Sequence, residues 1–410
     1  MMNLDINSVK LRKEIADIIT YVNDLFFNAV ESWASDVHIE PNRDFILIRF
    51  REDWDFTIYD KIDVKNTSTL LTRMKVLARV KIDENKKPQD WKIVYNYEPS
   101  NWGEREIIDI RFSTLPTAYW EKIVLRILRQ DTSLIDITKL WLLPLNLERV
   151  RKALKSKYWI ILVAWPTGSW KSTTLFWVLK NYNPLEFNIS TLEDPIEYDI
   201  DYVNQSQVRP DIWYGFADWL KSLMRQDPDI IMVWEIRDKE TSNLAVEAAL
   251  TGHLVVSTIH TNSAAATIQR LTNMGVESFL LVSALKMIIS QRLAKRTCKY
   301  CKVEDKISEA RMETIRKILD NILSKEDLDN IKFYKWAWCE KCNHTGYKWR
   351  LWIHEVLIMD DYLEKPILED ASANYLKELA MENGMITIVQ DALLKATLWD
   401  TTVEEALKLI

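Results

Sequence analysis

The first third of the chain alternates between helical and strand-like spacing of apolar residues. Residues 3–34 carry apolar side chains three and four positions apart, which predicts an amphipathic helix. Alternation over 45–50, and a second short segment near 56–58, predicts a hairpin that turns at 53–54. Further predicted elements are a helix near 70–80 and strands at 92–97, 105–112 and 122–128. Residues 1–130 are therefore expected to form a compact α+β domain.

The second part of the chain alternates short apolar segments with helix-like ones. Residues 131–145 are polar, then apolar, and are interpreted as a linker. Predicted strands lie at 160–164, 187–192, 229–233 and 253–258, with helices at 171–181, 216–223, 240–250, 264–272 and 278–293. Such alternation predicts an α/β domain, over residues 146–296, with a mainly parallel sheet and helices on both faces.

Composition narrows the class of protein. The chain has 410 residues, of which 48% are hydrophobic and 28% charged, and its net charge is −6. This is an ordinary globular composition with room for two or three domains. The negative charge argues against coating of nucleic acid, so no specific nucleic-acid partner is expected. Since residues 1–13 lack an apolar signal segment and no run of 18 apolar residues occurs, we expect a cytoplasmic protein.

The counts of glycine and tryptophan are abnormal. The chain has 7 glycines and 18 tryptophans, whereas glycine averages about 7% of residues. Several tryptophans occupy positions that suit a turn, such as Trp54 after Asp53 and Trp91 after Asp90. We therefore hypothesise that most or all tryptophan codons, most simply UGA, are read as glycine in the organism. The alternative is that the tryptophans are real, and the intact mass of the natural protein distinguishes the two.

A strand, a loop and a helix are predicted around residues 158–175. The loop and first helical turn read Trp165, Pro166, Thr167, Gly168, Ser169, Trp170, Lys171, Ser172 and Thr173. The phosphate-binding pattern G-x-x-x-x-G-K-[ST] needs glycine at both flanks, so that backbone N–H groups can close around phosphates. With glycine at positions 165 and 170 the loop predicts ATP binding, with Lys171 at the β- and γ-phosphates and Ser172 on Mg²⁺. With tryptophan at both positions the pattern is broken.

Acidic and histidine residues stand at the ends of the predicted strands. Glu235 and Glu193 each follow a strand, and a carboxylate at that edge of a parallel sheet can orient water or hold Mg²⁺. His253 and His260 flank a third strand. A histidine there can contact a γ-phosphate, whereas structural hydrogen bonding is the alternative for both histidines. For the two carboxylates the alternative is simple solvation.

All four cysteines form a C-x₂-C…C-x₂-C pattern. They are Cys298, Cys301, Cys339 and Cys342. In a cytosolic chain this pattern predicts a metal site rather than disulfides, and four thiolates close a tetrahedral structural Zn²⁺ site. The predicted module spans 297–355, contains a helical insert at 308–331, and is followed by a helical region at 356–410. Reduced thiols without a metal are the alternative.

Four segments in combination resemble the secretion ATPases of type II secretion and type IV pilus assembly. They are the loop 165–172, the acidic segment 191–198, the strand with its carboxylate in 223–238, and the histidine segment 251–262. Residues 34–41, 115–117 and the cysteine module are also similar to that family. The chain departs from the family chiefly by tryptophan in place of glycine, at positions 33, 54, 91, 120, 141, 165, 170, 213, 234, 338, 349, 352 and 399.

The resemblance implies a homohexameric ring of RecA-like ATPase domains, each preceded by a PAS-like domain. It implies that Glu235 is the general base, that Glu193 assists water or Mg²⁺, and that Arg111 and Arg126 reach the phosphates of ATP. Such a motor turns an inner-membrane platform protein that adds pilin subunits, so the chain is expected at the inner face of the cytoplasmic membrane. Relatives with the cysteine module often carry a further N-terminal docking domain. Only residues 1–33 precede Ala34, so we expect that domain to be absent.

Two alternatives to an assembly motor remain open at this point. The first is a pilus retraction motor of the same superfamily, although those motors generally lack the cysteine module. The second is a ring-forming scaffold that binds no nucleotide, if the tryptophans of the phosphate loop are real. The sequence leaves open whether the system builds a pilus, a secretion pseudopilus or a DNA-uptake filament.

Overall fold

The structure, a computed structural model, consists of two compact units. It describes residues 9–52, 55–99, 105–129, 141–155, 158–164, 171–196, 199–208, 215–342 and 344–410, without the side chains of residues 129, 171 and 172. The units are Met1–Thr132 and Ser133–Ile410. Each unit has its own large sheet and hydrophobic core. Among the described residues, no helix combines the length and the apolar character that a membrane crossing requires.

The first unit is built on a six-stranded antiparallel sheet in the order β3-β2-β1-β6-β5-β4. Its elements are α1 (Ile18–Glu31), β1 (Asp36–Pro41), β2 (Phe45–Glu52), β3 (Asp55–Asp63), α2 (Thr67–Leu77), β4 (Asp90–Tyr97), β5 (Glu106–Pro116) and β6 (Glu121–Arg129). Alternate residues of β2, namely Ile46, Ile48 and Phe50, are buried and join the helices in one core. The hairpin, the helix and the later strands are thus confirmed, whereas the turn at 53–54 lies outside the described residues.

The first helix is shorter than the helical spacing suggested. It begins at Ile18, where the Asp17 carboxylate accepts hydrogen bonds from the N–H groups of the first turn. Ahead of it, Arg12 forms a parallel bridge with Ile62 and an ion pair with Asp60 at 2.7 Å. The predicted helix over 9–17 is therefore wrong, because this segment runs beside β3 instead. Residues 3–8 lie outside the described residues.

The second unit contains a seven-stranded sheet in the order β15-β12-β7-β11-β10-β8-β9. Its strands are β7 (Trp159–Ala164), β8 (Ile189–Glu193), β9 (Asn204–Gln207), β10 (Ile230–Val233), β11 (Leu254–Ile259), β12 (Leu285–Thr297) and β15 (Tyr347–Ile358). Neighbouring strands are parallel except for β15, which is antiparallel to β12. The expected mainly parallel sheet is confirmed.

Helices cover both faces of this sheet. Along β7, Ile160 and Leu162 belong to one core cluster and Ile161 and Val163 to another, as a strand buried on both sides requires. The helices are α3 (Pro144–Leu154), α4 (Lys171–Lys180), α5 (Phe216–Leu223), α6 (Lys239–Leu250), α7 (Ala264–Asn273), α8 (Ser278–Ala284), α9 (Glu309–Leu319), α10 (Lys325–Asn330), α11 (Asp361–Leu368), α12 (Ala373–Glu382), α13 (Ile388–Thr397) and α14 (Val403–Leu407). A two-stranded ribbon, β13 (Lys302–Asp305) and β14 (Phe333–Trp336), joins the cysteine module.

The predicted helix over 278–293 is wrong beyond its first two turns. The chain forms α8 and then continues as β12 from Leu285, between β7 and β15. Residues 287–291 are all buried, so the apolar run reflects a strand covered on both faces rather than one side of a helix.

The sequence analysis also missed α3. This helix begins at Pro144, inside the segment interpreted as a linker, where the fixed φ of proline suits the first helical turn.

Several tryptophans have a backbone conformation that favours glycine. They are Trp33 (φ 59°), Trp141 (55°), Trp159 (143°), Trp338 (62°), Trp349 (72°) and Trp399 (70°). A bulky L-residue in the left-handed region is a steric outlier that costs roughly 1–2 kcal/mol, whereas glycine adopts it freely. Three of these indoles gain little burial in return, since Trp33, Trp338 and Trp349 are 45%, 62% and 44% exposed.

Two of these residues end helices in the way that glycine does. Trp33 follows α1 and Trp399 follows α13, and the next N–H donates to the carbonyl five residues earlier, at 3.0 and 2.9 Å. This hydrogen bond defines a Schellman motif, whose left-handed residue is usually glycine. Gly384 ends α12 with the same bond at 2.8 Å and a φ of 82°. The chain therefore uses glycine and tryptophan at equivalent positions of the same motif.

Other tryptophans are buried. Trp177, Trp234 and Trp352 are 2%, 6% and 7% exposed and pack in one core cluster. Their φ angles are not positive, so the backbone conformation at these positions does not favour glycine. At these three positions the fold does bury the indole.

Candidate functional site

The phosphate-loop segment joins β7 to α4 at the carboxyl edge of the sheet. β7 ends at Ala164, which pairs with Ile259 of β11 and Ser290 of β12, and α4 begins at Lys171. The predicted loop residues lie outside the described residues; they are Trp165, Pro166, Thr167, Gly168, Ser169 and Trp170. The side chains of Lys171 and Ser172 also lie outside them. The predicted strand and helix on either side of the loop are confirmed.

Thr173 shows an unsatisfied polar atom in the first turn of α4. Its side chain is buried, and its Oγ1 has no hydrogen-bond partner among the described residues. The first turn of α4 carries no acidic residue, so the positive end of the helix dipole is not offset by a carboxylate of that turn. An anion at this helix N-terminus fits both observations.

The predicted acidic residues lie along the same edge of the sheet. Glu193 is the last residue of β8 and Glu235 follows β10 by two residues. The two strands are adjacent and parallel, and the backbone N–H of Trp234 donates to the carbonyl of Leu192 at 2.8 Å. Both carboxylates are buried, at 0% and 3% exposure. Burying a carboxylate is costly unless hydrogen bonds or counter-charges compensate, so each must be held by specific partners.

Glu235 is held by one predicted residue and one that was missed. His260 Nε2 lies 2.9 Å from Glu235 Oε1, and Arg237 Nη2 lies 2.8 Å from Glu235 Oε2. His260 directly follows β11, so the sheet brings the predicted base and the predicted histidine into contact. The hydrogen bond to Glu235 raises the pKa of Arg237. The sequence signal that could have identified Arg237 is its position two residues after Glu235. In an extended chain, side chains two residues apart lie on the same side.

The two histidines of the segment 251–262 have different roles. His253 Nδ1 lies 2.8 Å from the carbonyl oxygen of Ala248, near the end of α6, and 3.2 Å from Thr251 Oγ1. This is a structural contact that supports the helix terminus. His260 instead contacts the Glu235 carboxylate and its side chain is 35% exposed. Of the pair, His260 is the one placed among the candidate catalytic groups.

Arg111 and Arg126 stand side by side in the first unit. They are directly opposite each other on β5 and β6, on the face away from the buried side chains of Ile110 and Phe112. Arg126 Nε lies 3.2 Å from Asp36 Oδ1, and its side chain is 61% exposed. Sequence spacing alone did not show that the two guanidinium groups are cross-strand neighbours. The sheet thus places the two arginines next to each other on one face.

The four cysteines converge on one point. Their Sγ atoms all lie within 4.8 Å of one another, with 3.7 Å between Cys298 and Cys339 and 4.0 Å between Cys301 and Cys342. A Zn–S bond of about 2.3 Å places the sulfurs of a tetrahedral site about 3.8 Å apart. Burial raises the pKa of Cys301 to about 12. Burial acts in the same direction on Cys342, but hydrogen bonds with the backbone of Cys339 and Gly346 and with the thiols of Cys339 and Cys301 together lower its pKa to about 7. The donor set and its spacing fit a structural zinc ion.

Comparison with known proteins supplies relatives over nearly the whole chain. A sequence profile of the type II/IV secretion system protein family matches residues 12–408. The type IV pilus assembly ATPase PilB of Thermus thermophilus is 41% identical over 94% of this chain and 42% of its own length. PilB of Myxococcus xanthus is 38% identical over 95% of this chain and 67% of its own. The type II secretion system ATPase E of Vibrio cholerae is 40% identical over 96% and 75%. The chain thus spans less than half the length of the Thermus relative.

Structural comparison finds solved motor and ATPase structures with a similar fold. The pilus retraction motor PilT with bound ADP is 26% identical and matches 95% of this chain and 96% of its own with a TM-score of 0.62. The ATPase DotB of Legionella pneumophila matches 98% of both chains with a TM-score of 0.66 at 19% identity, which shows the fold alone. Because the family profile spans nearly the whole sequence and the relatives exceed 30% identity, the chain belongs to the type II/IV secretion system protein family, whose matched relatives are named as secretion and pilus assembly ATPases.

Proposed function

We propose that the chain is an ATP-hydrolysing motor for assembly of a type IV pilus or a type II secretion pseudopilus. The observation that carries the proposal is the buried Glu235 carboxylate, paired with His260 and Arg237 at the edge where β7 leads into the phosphate-loop segment. A carboxylate held in this way can accept a proton from a water molecule aligned with a γ-phosphate. The names of the relatives set the expected substrate, ATP, and the system.

The residues of the loop would bind the nucleotide. Lys171 would reach the β- and γ-phosphates, Ser172 would hold Mg²⁺, and the Thr173 hydroxyl, which has no partner among the described residues, would contact a phosphate oxygen. Bound Mg²⁺ supplies positive charge at the phosphates. Glu193 orients water or an Mg²⁺-bound water, and Arg111 and Arg126 contribute charge that stabilises the transition state. The ADP in the PilT structure supports a nucleotide as the ligand.

We also infer that glycine stands at most or all tryptophan positions of the working protein. The positive φ angles of six tryptophans and the Schellman motifs at Trp33 and Trp399 support this, as does the count of 18 tryptophans against 7 glycines. We call the sequence as printed the tryptophan form, and the same sequence with glycine at all 18 positions the glycine form. The proposed nucleotide site requires glycine at 165 and 170, because an indole occupies the space of the phosphates.

Binding of ATP by the glycine form tests the proposed site. Removing the Lys171 ammonium is expected to weaken binding by about ten- to hundredfold, the range for one hydrogen bond to a charged group. The measurement is titration of the glycine form and of Lys171→Ala with Mg²⁺-ATP in a calorimeter. Lys180→Ala, at the other end of α4, is the matched control and should bind like the parent. Equal affinities for the parent and Lys171→Ala would contradict the site.

The cysteine module is proposed to hold one structural Zn²⁺ ion. We expect elemental analysis to find one zinc per chain, and none in the Cys298→Ser/Cys301→Ser variant. Because a closed tetrahedral site contributes directly to folding, the variant should also melt at a lower temperature than the parent. Ser283→Ala, which replaces an exposed serine of α8 outside the module, is the control for effects of mutagenesis and purification. Loss of zinc with no change in melting temperature would contradict the structural role.

The proposed assembly comes from the family resemblance. We infer a homohexamer of RecA-like domains, each with a PAS-like first unit, that acts in the cytoplasm at the inner face of the membrane through a platform protein. A retraction motor is the second candidate, favoured by the likeness to PilT. The converging cysteines favour assembly instead, since retraction motors generally lack that module. Gel filtration with light scattering in the presence of ATP tests the hexamer, and a monomer at micromolar concentration would contradict it.

A further inference from the structure

Gln205 contacts the carboxylate of Glu193 from the neighbouring strand. It lies on β9, directly opposite Thr191 of β8, and its Nε2 lies 2.8 Å from Glu193 Oε1. The hydroxyl of Thr191 donates to the same oxygen at 2.7 Å. Glu193 is fully buried, so these neutral donors compensate part of the cost of burying its charge. Neither Gln205 nor Thr191 was among the residues expected at the site.

The amide of Gln205 is oriented by a second hydrogen bond. The backbone N–H of Ile200 donates to Gln205 Oε1 at 2.8 Å. This donor fixes the amide oxygen on that side, so the amide nitrogen must face Glu193 and donate. The chain between Ile200 and β9 therefore presets the donor before any ligand arrives. A side chain held at both ends restricts the rotation of the carboxylate that it contacts.

The surroundings of Gln205 do not suggest a packing role. β9 is the edge strand of the sheet, and its four residues are half-buried or exposed. None of them belongs to the core clusters on either face of the sheet. β8, in contrast, is buried along its whole length and ends in Glu193. Gln205 thus links the Glu193 carboxylate to the backbone of Ile200.

We propose that Gln205 is a positioning residue for ATP hydrolysis, which fixes the Glu193 carboxylate at the carboxyl edge of the sheet. The inference rests on the proposed function, in which Glu193 assists the attacking water or Mg²⁺. Thr191 is its partner in this role, since the Thr191 hydroxyl and the Gln205 amide both donate to Glu193 Oε1. Orienting a catalytic group within a fraction of an ångström is what such a supporting hydrogen bond provides.

Gln205→Met in the glycine form tests the proposal, because methionine keeps the length of the side chain and removes the donor. We expect kcat for ATP to fall by about ten- to hundredfold, the effect of one hydrogen bond to a charged group. ATP affinity should match the parent, and the melting temperature should fall but stay above the assay temperature, because the buried Glu193 carboxylate loses one donor. Asn204→Leu is the matched control, since it removes an exposed amide from the neighbouring position of β9, on the opposite face, and should retain the parental kcat. Where Gln205→Met melts early, Gln205→Glu replaces it, and this acceptor-only isostere should lower kcat at least as much.

A double-mutant cycle separates positioning from general structural support. If Gln205 acts through Glu193, then Gln205→Met should change kcat less than twofold in a Glu193→Gln background. An equal loss of kcat in both backgrounds would show that Gln205 acts elsewhere and would overturn the proposal. An unchanged kcat for Gln205→Met in an active parent would also overturn it, and leave the proposed function intact. No hydrolysis by the parent itself would contradict the proposed function, and the positioning role with it.

Discussion

Glu235→Gln in the glycine form is expected to lower kcat for ATP hydrolysis by about 10²–10⁴-fold, the usual contribution of general base catalysis. Glutamine preserves the shape of the side chain and can still contact His260 and Arg237, which lie 2.9 and 2.8 Å from the carboxylate. It cannot accept a proton from water. Since Glu235 acts on the attacking water rather than on bound ATP, the affinity for Mg²⁺-ATP should change little.

The measurement is steady-state ATP hydrolysis, with ATP binding determined separately for each variant. Glu240→Gln is the matched control, because this carboxylate is exposed and its pair with Lys221 spans 2.6 Å at the surface. Exposed ion pairs contribute little to stability, so the control should hydrolyse ATP like the parent. A Glu235→Gln variant that retains more than half of the parental kcat would contradict the assignment of the base. Loss of ATP binding in that variant would place Glu235 in binding rather than in proton transfer.

The parallel sheet could be predicted because its central strands have a recognisable local sequence pattern. Each of β7, β10 and β11 is a short, mostly apolar run that is buried on both faces and precedes a helix. The carboxyl ends of such strands meet at one edge, which is why Glu193, Glu235 and His260 could be named in advance. Their positions in the structure agree with that expectation.

Elements that depend on distant partners were not predicted. β9 is a polar edge strand whose pairing with β8 has no signature in its own four residues. β12 looks helical in sequence because both of its faces are covered, by the cores on either side of the sheet. Gln205 and Arg237 were missed for the same reason, since their importance lies in the carboxylates that they contact. Tertiary context decides such positions, and local spacing does not record it.

Composition revealed that the tryptophans are anomalous, but not which of them occupy positions that favour glycine. The excess of tryptophan over glycine identified the anomaly, and Trp33 and Trp399 proved to occupy left-handed helix termini. Composition could not separate these from Trp177 and Trp234, which are buried in the core. Backbone conformation makes that distinction, because only the left-handed positions penalise a side chain. The loop at 165–170 lies outside the described residues, so its two tryptophans must be tested by activity.

ATP hydrolysis by the two forms of the chain tests the central claim most directly. The tryptophan form, the glycine form, and a third chain that retains only Trp165 and Trp170 are assayed side by side with Mg²⁺-ATP. The glycine form should hydrolyse ATP, while the other two should be inactive, because indoles at both flanks of the loop fill the space of the phosphates. Melting curves of the third chain, expected to match those of the glycine form, confine the defect to the loop. Hydrolysis by the tryptophan form would contradict the steric argument, and an inactive glycine form would contradict the proposed function.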